Sequence, residues 1–441
     1  MKSILYCLIA AVTAAVLNLA ALPAVADSVT PESLIGPVIS TTKPPPPEPQ
    51  PYDGSRKFST DLGKCDDATL DAVARTDKSA LAGEKGVTCV ERTGPGRRLQ
   101  ATRAAFPLPE WCYDMQARGY WQGVRDYTCG IFDLRVSFWR TVNNVWTQVG
   151  WIDFAAVDGI AVSTINPNFA MQQQIDSYAY WGEVAGAMVQ GAFNCTGVCR
   201  LQTSNYPSQP MTLENVPLGT ANIASTATAV GAVGNANPSI TIRFSKPGYT
   251  PSLPYTYGAP EVRCDNDLPG ASYRPGCANS WYESSMKYGM SGPYPQLAKH
   301  LKDAQDSGLP GFRGSGTFLN RITGTDVQRN RDRACPTGEF PYPRPDGKSC
   351  DEYPMASTKQ GAMTANPDIP PRDLRRTFTW CDMPDTVPVN QTGRRGYSIC
   401  MIDETQNSNG GVALEDFYIT YRILPERPGI RSGDAFTMWL Y

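Results

Sequence analysis

The sequence predicts an exported α+β protein, with a strand-rich amino-terminal part of antiparallel β-sandwich type and a mixed carboxy-terminal part. Three observations predict it. The chain opens like a secretory signal, the cysteines beyond that signal are even in number, and period-two hydropathy in the first half gives way past Cys264 to a helical pattern and dense charge of both signs.

Met1-Lys2-Ser3 is a short charged start, followed by an apolar run from Ile4 to Ala21 and the small-residue site Ala24-Val25-Ala26. This is the pattern of a cleaved secretory signal spanning residues 1–26. Asn18 and Pro23 interrupt the run, which argues for cleavage over a membrane anchor, so no stable membrane insertion is expected after cleavage and the product is expected to be secreted. Residues 27–54 form a proline-rich linker around Lys43-Pro44-Pro45-Pro46-Pro47-Glu48-Pro49, an extended, semi-rigid spacer suited to holding a folded body away from a cell wall or membrane, with cell-wall proximity expected.

Of thirteen cysteines, Cys7 lies in the signal and twelve remain. In an oxidising compartment these read as disulfides. Pairing of sequence neighbours would give six staples, although connectivity does not follow from sequence. A zinc site at Cys195-x3-Cys199 is poorly supported, because the chain has a single histidine and no second close cysteine pair of matching spacing.

Residues 55–105 hold Cys65 and Cys89 around one short helical pattern, Asp67 to Ala74, and read as a small disulfide-containing lead-in. Residues 106–262 read as the β-rich domain. Phe132, Leu134, Val136 and Phe138 alternate with Asp133, Arg135 and Ser137; the habit resumes from Val145 to Ile152 after Asn143-Asn144, a hairpin signal with suitable turn residues. Ser239 to Phe244 reads as a further strand. Trp139, Trp146, Trp151 and Trp181 are expected mainly in the core, with a polymer-binding groove as the alternative. A net charge of −2 excludes a polyanion-binding argument from the whole molecule, so any nucleic-acid site must be local.

Residues 263–441 carry the candidate chemistry. A helix is predicted around Gln296 to Ala304, with His300 on the same amphipathic face as Leu297 and Leu301. Arg329, Arg331 and Arg333 alternate, and on an extended segment they would share one face able to track phosphates; ion pairs to Asp326 and Asp332 are the local alternative.

The string Ser349-Cys350-Asp351-Glu352-Tyr353-Pro354-Met355-Ala356-Ser357-Thr358 resembles the signature of the NucA/NucB family of secreted deoxyribonucleases, in its cysteine-containing actinobacterial branch. Three other stretches resemble family segments in the same order: His300-Leu301-Lys302-Asp303-Ala304, Arg329 to Arg333, and Gln406-Asn407-Ser408-Asn409-Gly410-Gly411. The resemblance implies a ββα-metal-like nuclease domain at residues 263–441. It also implies DNA as substrate and a divalent cation, Mg²⁺ or Mn²⁺, as cofactor. Asp351 would be the general base and Glu352 an auxiliary catalytic carboxylate. Asn407 would be the metal ligand, with Glu404 and Gln406 as further ligand candidates, and Arg329, Arg331, Arg333 and His300 would serve substrate binding, a structural role on the amphipathic helix being the equal alternative for His300. The sequence departs from the family in two places. Gln406 stands where an acid is usual, with Glu404 two residues earlier, and an insertion from about Ala365 to Gly396 separates signature from ligand. These departures motivate an alternative, a weakly active or inactive nuclease fold that binds nucleic acid or the cell envelope.

Overall fold

A computed structural model describes residues 48–52, 63–93, 107–113, 119–270, 274–338, 341–365, 368, 374–429 and 431–441. The signal, most of the proline run and Arg97-Arg98 lie outside the described residues. The protein is of mixed α+β class, dominated by strands, with few helices.

The strand-rich region grows from the alternation in its sequence. Tyr127–Val142 and Val145–Ser163 form an antiparallel hairpin in which Val142 faces Val145. Asn143 and Asn144, at φ 51° and 63°, make the turn; asparagine tolerates this left-handed region better than most residues, and two such residues match the twist of the flanking strands. Asn166–Gly182 continues the meander, and the sheet comprises nine strands. Because side chains alternate, Phe132, Leu134, Val136 and Phe138 all enter one core, each no more than 6% exposed, while Arg135 points away and pairs with Asp153. A six-stranded sheet around Val233–Ser245 closes that core from the other side with Val189, Phe193, Ile240, Ile242 and Phe244. Stripping Phe138 to alanine in such a core costs about 3–5 kcal/mol.

Several expected boundaries dissolve into paired strands. The lead-in contributes the helix Asp67–Ala74, capped by Asp66, and the strand Gly86–Arg92, which pairs with Tyr127–Val142. The end of the proline-rich linker is paired as well, since Gln50–Pro51 lies antiparallel to Trp121–Gly123. An extended proline-rich segment can serve as an edge strand, where missing N–H groups do no harm. Past residue 262, the strands Val262–Asp265 and Gly276–Ala278, joined by the Cys264–Cys277 disulfide, complete the six-stranded sheet. All six neighbour-paired disulfides are present; Cys195–Cys199 is one of them, which removes the zinc alternative. The four tryptophans divide differently from the expectation. Trp139 and Trp146 pack partly buried beside the Cys65–Cys89 cluster, Trp151 lies beneath the Arg135 guanidinium at 4.2 Å, and Trp181 is 54% exposed.

Residues 39–441 form one compact unit, in which a buried ionic cluster joins the strand-rich and carboxy-terminal regions. Asp434 accepts from Arg263 Nη1 (2.5 Å to Oδ2) and from Arg125 Nη2 (3.3 Å). Arg422 donates to Thr164 O (2.6 Å) and to Asp265 O (2.6 Å), and also meets the Asp265 carboxylate. Arginine suits this place because its planar fork can satisfy several carbonyls while keeping its charge.

Beyond this cluster the chain forms a small three-stranded sheet. Lys348–Tyr353 pairs antiparallel with Tyr397–Asp403, which pairs in parallel with Arg375–Arg376. The helix Glu404–Thr420 follows at once, and it packs with the helix Pro295–Asp306 over one face of the sheet. On the other face lie the helix Thr325–Ala334 and the Cys335–Cys350 disulfide.

Candidate active site

The period of two along Lys348–Tyr353 sorts the signature residues. Ser349, Asp351 and Tyr353 face the two long helices, while Cys350 and Glu352 face Thr325–Ala334. Asp351 is 7% exposed, and its Oδ2 lies 2.5 Å from His300 Nδ1. A carboxylate only accepts, so the hydrogen belongs on Nδ1, and Nε2 then takes the Ser398 hydroxyl hydrogen at 3.0 Å. His300 has no exposed surface. The expectation that it binds substrate is therefore corrected: it stands behind Asp351 and fixes the carboxylate's orientation. Its burial follows from helical period, since Leu297, Leu301 and Ala304 share its face.

Asn407 sits in the first turn of Glu404–Thr420 and donates from Nδ2 to Ser349 Oγ (2.9 Å) and Cys350 O (3.2 Å). Both bonds use the amide nitrogen. Among the described residues neither Asn407 Oδ1 nor Asp351 Oδ1 is engaged in a hydrogen bond, so two hard oxygens are left on the helix-covered side of one antiparallel strand pair. Glu404 is exposed and lies three residues before Asn407, adjacent on the helix surface.

Gln406 is spoken for, which corrects its expected role as a ligand. The helix Pro295–Asp306 begins without a side-chain cap, and Gln406 Oε1 accepts from the Gln296 N–H at 2.8 Å; in return Gln296 Oε1 accepts from the Asp403 N–H at 2.9 Å. This reciprocal clasp locks the two helix starts together and satisfies donors that each would otherwise leave open.

Glu352 is corrected in the same way. It is half-buried on the opposite face, beside the Cys335–Cys350 disulfide, and cannot meet Asp351 at one point. Burial, reinforced by the Asp351 charge and eased by Arg331, pushes its carboxyl up to about 7.

The arginine stretch is a helix, Thr325–Ala334, and not an extended segment. Its buried residues, Asn330 and Ala334, are four apart, and at helical period Arg329 and Arg333 lie on one side of the axis while Arg331 is turned away from them. Arg329 pairs with Asp326 at 3.1 Å, the local alternative. The expectation that these arginines share one phosphate-tracking face is therefore corrected.

The residue of that stretch with most to do is Asn330. Fully buried, it donates to Ala356 O and Thr358 O and accepts from the Met363 and Thr364 N–H groups, pinning the loop that follows the signature strand. Its place four residues before Ala334, where helical period puts both on one face, was the available signal. Ser398 and Ser349 had none, since both gain meaning only from strand pairing.

Among the described residues no three His, Cys, Asp or Glu side chains converge as a metal-holding group. A hard cation that keeps most of its water needs only one or two protein oxygens, and Asp351 with Asn407 fits that demand. Also among the described residues, no helix is long and apolar enough to cross a membrane. Compared with models of protein families and with curated proteins, the chain matches none.

Proposed function

We propose that the carboxy-terminal region is a secreted, metal-dependent endonuclease that hydrolyses phosphodiester bonds of extracellular DNA. The observation that carries this reading is the free pair of oxygens, Asp351 Oδ1 and Asn407 Oδ1, set on one face of a strand–strand–helix unit. His300 and Ser398 hold the carboxylate in one orientation, and the Ser349 bond holds the amide. Asp351 Oδ1 takes a proton from a water whose oxygen attacks phosphorus, and the bond from phosphorus to the leaving sugar oxygen breaks. Asn407, with Glu404 beside it, would hold one Mg²⁺ or Mn²⁺, which when bound polarises the phosphodiester and stabilises the leaving oxygen. The six disulfides suit an oxidising, extracellular setting.

The test is plasmid cleavage by the full chain with Mg²⁺ or Mn²⁺, with and without chelator. Asp351→Asn keeps the shape and removes the base, and cleavage is expected to fall by a factor on the order of 10² to 10⁴. Asp351→Asn cutting as fast as the parent would reject the assignment. A second reading, a nuclease-like fold that binds without cutting, is favoured by the engagement of Gln406 in the helix clasp. It predicts DNA binding by a parent that never cleaves.

A further inference from the structure

The insertion that separates the signature from Asn407 builds a charged cavity. Leu374, Arg375, Arg376 and residues 391–395 line a space of about 280 Å³, to which Arg375, Arg376, Arg394 and Arg395 all contribute. That is room for a phosphodiester group with its flanking oxygens. Among the described residues none of the four guanidinium groups has a carboxylate within ion-pair distance. Arg375 donates to Tyr342 Oη and Thr386 O, and Arg376 to Ser307 O, Gly393 O and Arg395 O, all neutral acceptors. Arg394 and Arg395 are exposed. Four arginines thus line one cavity with no ion-pair partner among the described residues, in a protein whose net charge is −2.

The cavity is also rigid. Gly393 N–H donates to Ser307 O at 2.7 Å, and the buried Arg376 clips the loop at Gly393 and Arg395. Gly396, at φ 99°, lies so close to Leu374 that a Cβ there would stand 2.1 Å from its carbonyl oxygen, so only glycine lets the loop return to the sheet. A preformed set of donors loses less entropy on binding an anion than one that must assemble.

Register places the cavity relative to Asp351. Arg376 lies opposite Ser398, and Asp351 lies opposite Cys400, two residues further along the shared central strand. Directly paired residues point to the same side of a sheet, so Arg376 and Asp351 share a face. Two strand spacings of ~4.8 Å and two residues of ~3.3 Å give a backbone separation of roughly 12 Å.

We infer that this cavity is a docking site for a phosphate of the DNA backbone, away from the scissile bond. The choice of ligand rests on the endonuclease reading, and the site is distinct from the residues that carry out that chemistry. Arg394 and Arg395 make the contact, while Arg376 holds the loop and Arg375 and Arg376 supply field.

The experiment is fluorescence anisotropy of a labelled duplex of about 20 base pairs with the full chain in chelator, across a salt titration, so that binding is read without cleavage. The double variant Arg394→Ala/Arg395→Ala is expected to bind about tenfold or more weaker, with the slope of log affinity against log salt smaller by about 0.9, the value for one lost phosphate contact. Arg394→Lys/Arg395→Lys is expected to keep the parental slope. Arg329→Ala/Arg331→Ala, on the helix of the opposite face, is expected to bind like the parent. An unchanged slope in the alanine pair overturns the inference. So does equal loss in the lysine pair, which would signal damage to the loop, or a larger loss in the Arg329/Arg331 pair. Sodium phosphate at the same phosphate-group concentration is expected to leave the DNA bound, and displacement would overturn the polymer in favour of a free-phosphate site. Plasmid cleavage in Mn²⁺, assayed separately, decides the endonuclease reading whatever the binding result.

Discussion

Replacing Asp434 with asparagine would test what joins the strand-rich region to the candidate site. The Asp434 carboxylate accepts from Arg263 Nη1, from Arg125 Nη2 and from the Leu424 N–H at 3.0 Å. Both arginines are buried, at 5% and 4% exposure. Arg263 would keep Asp265 at 3.3 Å, but Arg125 would be left with carbonyl oxygens alone. Removing one partner of a buried ion pair costs about 3–5 kcal/mol, and because Arg263 keeps a second acid, about 3–4 kcal/mol is expected here. That is a large share of the 5–15 kcal/mol typical of a folded protein. The assay is urea unfolding followed by tryptophan fluorescence and far-ultraviolet circular dichroism. Burial pushes the Asp434 carboxyl up, but Arg263 and Arg125 outweigh it, and the folded pKa lies below the ordinary 3.8. The carboxylate's contribution is therefore complete above 3.8 and is lost as pH falls through the lower folded value, so the parent's advantage over Asp434→Asn should shrink only in strong acid. A difference below about 1 kcal/mol at neutral pH, or an advantage that faded already near pH 6, would refute the reasoning.

Asn407→Ala removes an oxygen ligand and leaves the base, so its lost cleavage is expected to recover in part at high Mg²⁺ or Mn²⁺, as read from a metal titration on plasmid DNA. Glu352, raised to about 7, contributes stability that is full below its ordinary 4.5 and is lost as pH rises through the folded value. Glu352→Gln should flatten the parent's decline between pH 4.5 and 7 in thermal melts, and an unaltered profile would remove Glu352 as its source. Replacing Cys335 and Cys350 with serine opens a loop of sequence separation 15 and should cost about 3 kcal/mol in chemical denaturation. Free thiols at these positions in the parent, seen by non-reducing mass spectrometry, would show the staple to be absent.

The hairpin around Asn143-Asn144 was legible because one face is core, so alternation had to register with burial. The helix bearing His300 was legible for the corresponding reason, at a period of 3.6. The arginine stretch misled because charges at every second position imitate a strand, whereas the side chains that packing uses, Asn330 and Ala334, repeat every four. Gln406 shows a different limit. Its identity suggests a ligand, but its place at a helix start beside an uncapped neighbour decides its hydrogen bond. The Arg376 cavity was invisible for a similar reason, since strand register alone brings residues 375–376 and 391–395 together near the face of Asp351.

The helix Glu404–Thr420 carries Asn407 near its start and delivers Arg422 just past its end. Fifteen residues at 1.5 Å each make a strut of roughly 22 Å, with Asn407 at one end and a guanidinium set among carbonyls of the strand-rich region at the other. A strut clamped at its foot can pivot only there, and a small tilt at the foot becomes a displacement of its tip that the Ser349 bond must absorb. The sandwich is then a mounting plate as much as a neighbour. Cutting it away would leave the helix held by its sheet contacts, the clasp with Gln296 and its packing on Pro295–Asp306 but without the anchored foot, so the candidate site is not a module that can be lifted out with its geometry intact.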